Sequence, residues 1–162
     1  MPENHSGTTK VDSVDALILK RLLNDVRSPF RSIAGEVGID ERTVARRVQK
    51  MKESGIFRET VEIDLIGLGM GTVAYVGCKT SAGGDLRAKL HAFIDKQPRI
   101  VEFFSTVGQD EYLLKIVARD VHDLREEVLT AMEPLTSDLS TSIISSQIKR
   151  PDHSAILSLL EV

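Results

Sequence analysis

The chain has 162 residues, of which 41% are hydrophobic and 28% are charged, and this composition is typical of an ordinary globular protein. It contains no run of about 18 apolar residues, so the sequence predicts no membrane span. One cysteine excludes an internal disulfide, and four histidines without metal-ligand spacing disfavour a zinc site; no cofactor is predicted. The polar start of the chain lacks the apolar core of a secretory signal, which favours a cytoplasmic location.

The net charge of −3 would by itself argue against nucleic-acid binding, but the charges are unevenly distributed. Residues 1–60 hold 11 Lys/Arg and 9 Asp/Glu, whereas the remaining residues hold 10 and 15. Residues 42–52 contain five basic side chains and no acidic one. A basic stripe on an otherwise acidic chain is typical of a protein in which a single element contacts phosphate.

Three helices are predicted in the first part of the chain, after a disordered tail at 1–11. The first covers residues 14–23, with Asp12 or Ser13 as its cap and an inward face of Val14, Leu17, Ile18 and Leu22. The second follows Ser28 as a capping residue and Pro29 at the first helical position, and ends at Gly38. The third is capped by Asp40 and closed by Gly55. Two helices joined by so short a link predict a helix-turn-helix.

Alternating apolar residues over 56–63 then predict a strand, either a wing or a linker. In the second half of the chain, predicted strands alternate with helices. Strands are predicted at 72–80, 100–107, 112–118 and 139–148, with helices between 86 and 98 and between 121 and 135.

This β-α-β-β-α-β order predicts a ferredoxin-like domain with both helices on one face of an antiparallel sheet. A second subunit is expected to cover the other face. The fold class is therefore α+β, a winged helix-turn-helix followed by a βαββαβ domain. The predicted boundaries are 12–57 for the helix-turn-helix domain, 58–70 for the strand or linker, 71–150 for the βαββαβ domain and 151–162 for a C-terminal tail.

The third predicted helix has an apolar side and a basic side. At 100° per residue, Val44, Val48 and Met51 point inward, and Arg42, Arg46 and Gln49 lie roughly opposite. An arginine fork matches the O6 and N7 atoms of guanine, and a glutamine can pair with adenine or with phosphate. The helix thus has the arrangement of a DNA recognition helix, although a solvated basic face is the simpler interpretation of the stripe alone.

Other side chains are predicted to contact the DNA from the edges of this face. Thr43 and Lys50 lie on one flank, where Lys50 is suited to phosphate, and Arg31 and Ser32 of the second helix are placed to touch phosphates. Arg47 lies nearer the apolar side, and two roles remain open for it: a contact with DNA, or a tether to neighbouring carboxylates. The predicted DNA-binding residues are Arg31, Ser32, Arg42, Thr43, Arg46, Arg47, Gln49 and Lys50.

The segments at 15–25, 31–39, 43–51 and 55–57 resemble the DNA-binding domain of the Lrp/AsnC (feast/famine) transcriptional regulators. The resemblance covers roughly residues 11–150 and includes Gly-Gln-Asp-Glu-Tyr-Leu-Leu-Lys at 108–115. It implies dimers formed by sheet-to-sheet packing, further assembly into octamers, and an amino-acid effector pocket between dimers near the Gly108 loop.

The loop departs from the commoner family pattern, Thr-Gly-x-Tyr-Asp-Tyr. Here Glu111 replaces the aspartate expected to hold the effector's ammonium group, and Asp110 replaces the first tyrosine. The resemblance implies effector-binding residues Gly108, Gln109, Asp110, Glu111 and Tyr112. A plain hairpin turn with solvated acids is the alternative interpretation of this loop.

The function predicted is that of a sequence-specific transcription regulator that binds pseudo-palindromic double-stranded DNA as a dimer or octamer, modulated by an amino acid or other small ligand. One alternative is a metabolite-sensing or interaction module that does not bind DNA. The other is an enzyme related to haem-pathway decarboxylases, but the sequence shows no cluster of histidine and arginine for a tetrapyrrole and no paired nucleophile and base. No enzymatic activity is therefore predicted.

Overall fold

A computed structural model describes residues 10–80, 83–147, 153–157 and 159. The chain divides into two compact units, one formed by Met1–Val61 with Lys149–Val162 and the other by Glu62–Ile148. Residues 1–9 of the predicted disordered tail, and half of the predicted tail at 151–162, lie outside the described residues. Among the residues that are described, no helix is long and apolar enough to cross a membrane.

The main body of the N-terminal unit is built from three helices between residues 13 and 53, and local signals in the sequence set their ends. The carboxylate of Asp12 accepts a hydrogen bond from the Asp15 N–H at 2.8 Å, and the Asp15 carboxylate accepts one from the Asp12 N–H at 3.3 Å, which makes a capping box. Gly38 ends the second helix with a φ of 76°, a left-handed conformation that suits glycine. The helices are α1 (Ser13–Asn24), α2 (Phe30–Val37) and α3 (Glu41–Glu53).

The apolar faces of these helices meet in one core. Leu157, in a short C-terminal helix (Ser154–Leu157), packs against this core, so part of the C-terminal tail belongs to the N-terminal unit. Leu17 was predicted to point inward but is 42% exposed. The buried residues of the core are Ile18, Leu19, Leu22, Ile33, Ala34, Val44, Val48 and Met51.

Two local predictions for this unit are wrong. Ser28 does not cap α2: Pro29 is itself the capping residue, in an extended conformation, and no side chain bonds to the start of the helix. The predicted strand over 56–63 is absent, because residues 57–64 lie in no helix or strand and Val61 is 86% exposed. A strand needs a partner for its backbone hydrogen bonds, and no described strand pairs with this segment. The helix-turn-helix therefore has no wing strand here.

The C-terminal unit contains a four-stranded antiparallel sheet with the order β2-β3-β1-β4. Its chain order confirms the predicted βαββαβ arrangement. The second helical segment, α5, runs continuously through an α-helical start, a π-helical turn, a further α-helical turn and a 3-10 end. The elements are β1 (Thr72–Thr80), α4 (Gly84–Lys96), β2 (Ile100–Ser105), β3 (Tyr112–Ala118), α5 (Val121–Leu124, Arg125–Leu129, Thr130–Met132 and Glu133–Leu135) and β4 (Thr136–Ile143).

One face of the sheet packs against both helices. Alternate residues of β1 and β3 meet Leu90 and Ile94 of α4 and Leu124, Val128 and Met132 of α5 in a single buried cluster. Cys78 lies in this cluster, and burial, with Asp110 nearby, raises the pKa of its thiol to about 11. The thiol is therefore protonated at neutral pH, in line with the inert packed cysteine that its apolar surroundings indicate.

The structure corrects three details of this unit. β4 was predicted at 139–148 but begins at Thr136 and ends at Ile143, and β2 ends at Ser105 instead of 107. β4 is an edge strand with mostly exposed polar side chains, so hydrophobic alternation does not reveal its bounds. The helix predicted between 86 and 98 begins at Gly84 and ends at Lys96.

A buried carboxylate fastens the helical layer to the sheet. Asp123 of α5 accepts hydrogen bonds from Arg99 Nε and Nη2 at 3.0 and 2.8 Å. It also accepts three from Arg119, at 3.0 Å from the backbone N–H and at 3.2 and 2.7 Å from Nε and Nη2. These bonds, from Arg99 first and then Arg119, hold the pKa of Asp123 well below its usual range.

We predict that Asp123→Asn lowers the thermal stability of the protein by several degrees, because two guanidinium groups lose their shared anion. The pKa of this carboxyl is lowered in the folded state, so its contribution to stability is present above the ordinary carboxyl pKa of about 4 and is lost as the pH falls further. Urea unfolding at neutral pH and near pH 3 measures this. The wild type should be more stable than Asp123→Asn at neutral pH, and this difference in the free energy of unfolding should be smaller near pH 3. A difference that does not change with pH would contradict the assignment.

Candidate nucleic-acid interface and ligand loop

The outer face of α3 carries the predicted base-contacting residues. Arg42, Arg46 and Gln49 are exposed, and the apolar residues on the other side of the helix are buried in the core. The Gln49 side chain donates a hydrogen bond to Glu53 at 2.8 Å, one turn further along the helix. Within the described part of the chain, Arg42 and Arg46 form no ion pair, so both guanidinium groups remain available to a ligand.

The start of α3 is fixed by its cap. The Asp40 carboxylate accepts hydrogen bonds from the Thr43 N–H at 2.8 Å and from the Thr43 hydroxyl at 2.6 Å. These two bonds, the hydroxyl's first, lower the pKa of Asp40. The predicted DNA contact Thr43 therefore already has a structural partner through its hydroxyl, and a ligand would have to share it.

Arg47 has the tethering role that was one of the two left open for it. Its Nη1 atom contacts the carboxylates of Asp12 at 2.7 Å and Asp15 at 2.8 Å, and its side chain is 29% exposed. Hydrogen bonds from the Asp15 N–H and then from Arg47 lower the pKa of Asp12. The pairing joins the start of α1 to the middle of α3 and fixes how far α3 is rotated about its own axis.

The remaining predicted contacts lie on the surface around this face. Arg31 and Ser32, in the first turn of α2, are exposed, and so is Lys50 in the second half of α3. None of the three has an ion-pair or hydrogen-bond partner through its side chain among the described residues. The face defined by Arg31, Ser32, Arg42, Arg46, Gln49 and Lys50 is called the basic face below.

We predict that Arg47→Met destabilises the protein by about 1–2 kcal/mol, between the values typical of exposed and buried pairs. The expected loss of stability is moderate for two reasons. A single nitrogen of Arg47 makes both ion pairs, and its buried Nε has no hydrogen-bond partner in the described structure, which already costs free energy in the wild type. The matched control is Arg46→Met, which removes a neighbouring arginine that pairs with no acid among the described residues and should leave the free energy of unfolding nearly unchanged. Equal urea midpoints for the two variants would refute the tether.

The predicted effector loop connects β2 to β3. Gly108 and Gln109 are exposed, whereas Asp110 and Glu111 are partly buried. The Thr106 hydroxyl donates to the Asp110 carbonyl at 2.6 Å, and the Glu111 N–H donates to the Cys78 carbonyl of β1 at 3.1 Å. These bonds hold the acidic end of the loop against β1.

The Glu111 carboxylate already has partners within its own unit. One oxygen accepts hydrogen bonds from the Thr80 N–H at 3.1 Å and the Thr80 hydroxyl at 3.0 Å, and the other oxygen pairs with the Arg87 guanidinium of α4. The residue predicted to bind a ligand's ammonium group is thus paired with a cation of the chain itself.

Tyr112 differs in position from the rest of the loop. It is 5% exposed and belongs to the core of the sheet, where its ring lies 5.1 Å from that of Phe103. Its hydroxyl lies 3.2 Å from Nε2 of His91 on α4. The structure brings Asp110 and Glu111 together beside β1 but places the Tyr112 side chain on the helix-covered face.

Sequence reasoning missed four residues around this loop. A Cβ atom on Gly77 would collide with the Asp110 carboxylate, so this glycine of β1 leaves the space that Asp110 occupies. Thr80, Arg87 and His91 supply the polar contacts described above. The spacing of Arg87 and His91, four residues apart on one face of α4, is the one signal that could have found them.

Comparison with known proteins agrees with both units. Residues 11–52 match the AsnC-type helix-turn-helix domain, and residues 73–153 match the Lrp/AsnC ligand binding domain. The chain is 31% identical over 122 residues to the HTH-type transcriptional regulator AldR of Mycolicibacterium smegmatis, covering 74% of this chain and 71% of the relative. It is 32% identical over 115 residues to the HTH-type transcriptional regulator FL11 of Pyrococcus horikoshii, covering 70% and 75%.

Solved structures show the same fold. Escherichia coli AsnC superposes with a TM-score of 0.77 at 21% identity, covering 89% of this chain and 98% of that one. A transcriptional regulator from Neisseria meningitidis, crystallised as a complex with L-Met, superposes with a TM-score of 0.74 at 21% identity, covering 86% and 92%. At these identities the likeness concerns the fold alone.

Proposed function

We propose that this chain, which belongs to the Lrp/AsnC family of transcriptional regulators, recognises its DNA sites through the basic face of α3 and binds a small ligand near the 108–112 loop. The family supplies the general function, DNA-binding regulation of transcription. One observation carries the assignment of the site: the outward side of α3 has two exposed arginines that pair with no acid among the described residues, and the opposite side of the helix is buried in the core.

Base recognition is proposed for Arg42, Arg46 and Gln49. In a helix-turn-helix the second helix lies in the major groove, and residues near its start contact the base edges. An arginine there can donate two hydrogen bonds to guanine, and Gln49 can give up its bond to Glu53 for an adenine or a phosphate. Arg31, Ser32 and Lys50 are proposed to contact phosphates at the sides of the groove.

Two of the predicted DNA contacts, Arg47 and Thr43, have structural roles in this proposal. Arg47 is assigned to the tether with Asp12 and Asp15, and Thr43 to the cap with Asp40. Both support DNA binding by fixing α3, because a recognition helix reads bases only if its rotation is defined.

We predict that Arg46→Ala weakens binding to a specific site by about 1–3 kcal/mol, since a bidentate base contact is worth about that much. Fluorescence anisotropy with a site selected from random duplexes measures the loss. The matched control is Arg125→Ala, which removes an exposed arginine of the C-terminal unit. If both variants bind like the wild type, Arg46 is not part of the interface.

A homodimer is proposed to form through the open face of the sheet, with octamers as a further assembly. By strand alternation, Tyr75, Leu113 and Phe104 lie on this open face, which is the face opposite α4 and α5, and Phe104 is 46% exposed. An apolar sheet face exposed to water is typical of an association surface. Twofold symmetry would pair two recognition helices with pseudo-palindromic half-sites about one helical turn apart.

The small ligand is proposed to be an amino acid or a similar molecule that contacts Gly108, Gln109, Asp110 and Glu111. The match to a ligand binding domain supports a ligand in this unit. Because Arg87 pairs with Glu111, an ammonium group has to compete with the chain's own cation for that carboxylate. Tyr112 is proposed to act only through its hydroxyl and His91, since its ring is buried.

We predict that Arg87→Met tightens the binding of an amino acid about tenfold, because the freed Glu111 carboxylate gains a charge-assisted hydrogen bond to the ligand's ammonium. Titration calorimetry with L-methionine and the other standard amino acids measures the change. Lys89→Met is the matched control, since Lys89 lies on the same helix but pairs with Asp85. Equal affinities in wild type and Arg87→Met would disprove competition at Glu111.

The family consists of regulators, and the relatives named above carry the names of regulators and not of enzymes. This favours regulation over the decarboxylase alternative. In organisms such as those of the two named relatives the DNA lies in the cytoplasm, so a DNA-binding role supports the proposed cytoplasmic location.

A further inference from the structure

A cleft in the N-terminal unit runs between the start of α1 and the second half of α3. Its floor includes Met51 and Ile56, and its walls carry charged groups from both elements. Lys10 lies on the α1 side, just before the capping residue Asp12. The charged side chains that line the cleft are Lys10, Asp12, Asp15, Arg46, Arg47 and Lys50.

The two acids in this cleft share one cation, which offsets one of their two negative charges. Arg47 pairs with both Asp12 and Asp15, at 2.7 and 2.8 Å. Lys10, Arg46 and Lys50 form no ion pair within the described ranges, and all three are exposed. Among the residues that the structure describes, four cations and two acids line the cleft, so its lining has an excess of positive charge.

These three cations come from the two sides of the cleft. Arg46 and Lys50 are four residues apart, so they lie one above the other on the same side of α3. Lys10 is two residues from Asp12, whose carboxylate is fixed by the capping box and by Arg47. The same tether that orients α3 thus also brings the Lys10 backbone beside it.

We infer that this cleft is a binding site for a phosphate of the DNA backbone, held between Lys10 and Lys50. The inference rests on the proposed function and adds to it a contact from outside the helix-turn-helix. Arg46 lies at the border between the cleft and the basic face, so a phosphate in the cleft would lie next to the bases that the helix reads. An ammonium acts on phosphate as a point charge, so this contact adds affinity without sequence preference.

The openness of the cleft favours DNA over a free anion. Lys10, Arg46 and Lys50 are all exposed, and exposed charges attract a single small anion weakly because water and salt screen them. A phosphate in a duplex is held near the cleft by the neighbouring contacts of α3, which raises its effective concentration there.

The test measures how DNA affinity falls with salt in the wild type, Lys10→Gln and the matched control Lys20→Gln, using the full-length protein and a mixed-sequence duplex of about three helical turns. Lys20 is an exposed lysine of α1 that does not line the cleft, so it controls for the loss of one charge. Between about 50 and 200 mM salt, Lys10→Gln should reduce the slope of log affinity against log salt by about 0.9, the value for one phosphate contact. Lys20→Gln should retain the wild-type slope, and Lys10→Arg should restore most of the affinity.

Each other outcome overturns the inference in a distinguishable way. Equal slopes for Lys10→Gln and Lys20→Gln, with normal DNA binding, would remove Lys10 from the interface and leave the proposed function intact. No duplex binding by the wild type would refute both. Thermal stabilisation of the wild type but not Lys10→Gln by inorganic phosphate at matched ionic strength, with equal salt slopes on DNA, would make the cleft a free-anion site instead.

Discussion

The guanidinium group of Arg47 joins the beginning of α1 to the middle of α3, because one of its nitrogens contacts both Asp12 and Asp15. The apolar side of α3 already determines which side of the helix faces the core, because Val44, Val48 and Met51 are buried there. The pairing with α1 adds a polar contact that further restricts rotation of α3 about its own axis. It also engages Asp12 and Asp15, and within the described part of the chain neither of these acids pairs with Arg46 or Lys50. The outward arginines and the cleft beside them both depend on this pairing.

Two acidic side chains of the C-terminal unit are likewise paired within that unit. Asp123 is surrounded by Arg99 and Arg119, and Glu111 by Thr80 and Arg87. The first arrangement is buried and fastens α5 to the sheet. The second is partly exposed and lies in the loop for which a ligand is proposed. An exposed ion pair of this kind contributes little to the stability of the protein. A ligand that displaces Arg87 from Glu111 would therefore cost the protein little free energy of folding.

The parts of the structure that follow from the sequence are those with a local cause. Asp12, Gly38 and Asp40 define helix ends through contacts within four residues, and the apolar run of β1 gives its bounds correctly. Recognition of the family rested on similar local segments. The strand predicted over 56–63 failed because alternation describes one strand and says nothing about a partner for it.

The contacts missed by sequence reasoning join residues that are far apart in the chain. Arg87 and Glu111 are 24 residues apart, as are Arg99 and Asp123, and no local pattern pairs them. Arg47 lies between contacts that a local pattern predicts and contacts that only the tertiary structure reveals. Its place at the edge of the apolar side of α3 indicated a tether or a DNA contact, and only the packing of α1 against α3 distinguishes them.

The most direct measurement is DNA cleavage from an iron chelate attached at position 49, in a Gln49→Cys variant. Gln49 is exposed, and the native Cys78 is buried and protonated, so attachment should be selective. If α3 lies in the major groove, both strands should be cut at a few adjacent base pairs within each half-site. The same chelate at position 20 in Lys20→Cys should give weak or no cleavage. Diffuse cutting from position 49, or equal cutting from both positions, would contradict the account of α3 as the recognition element.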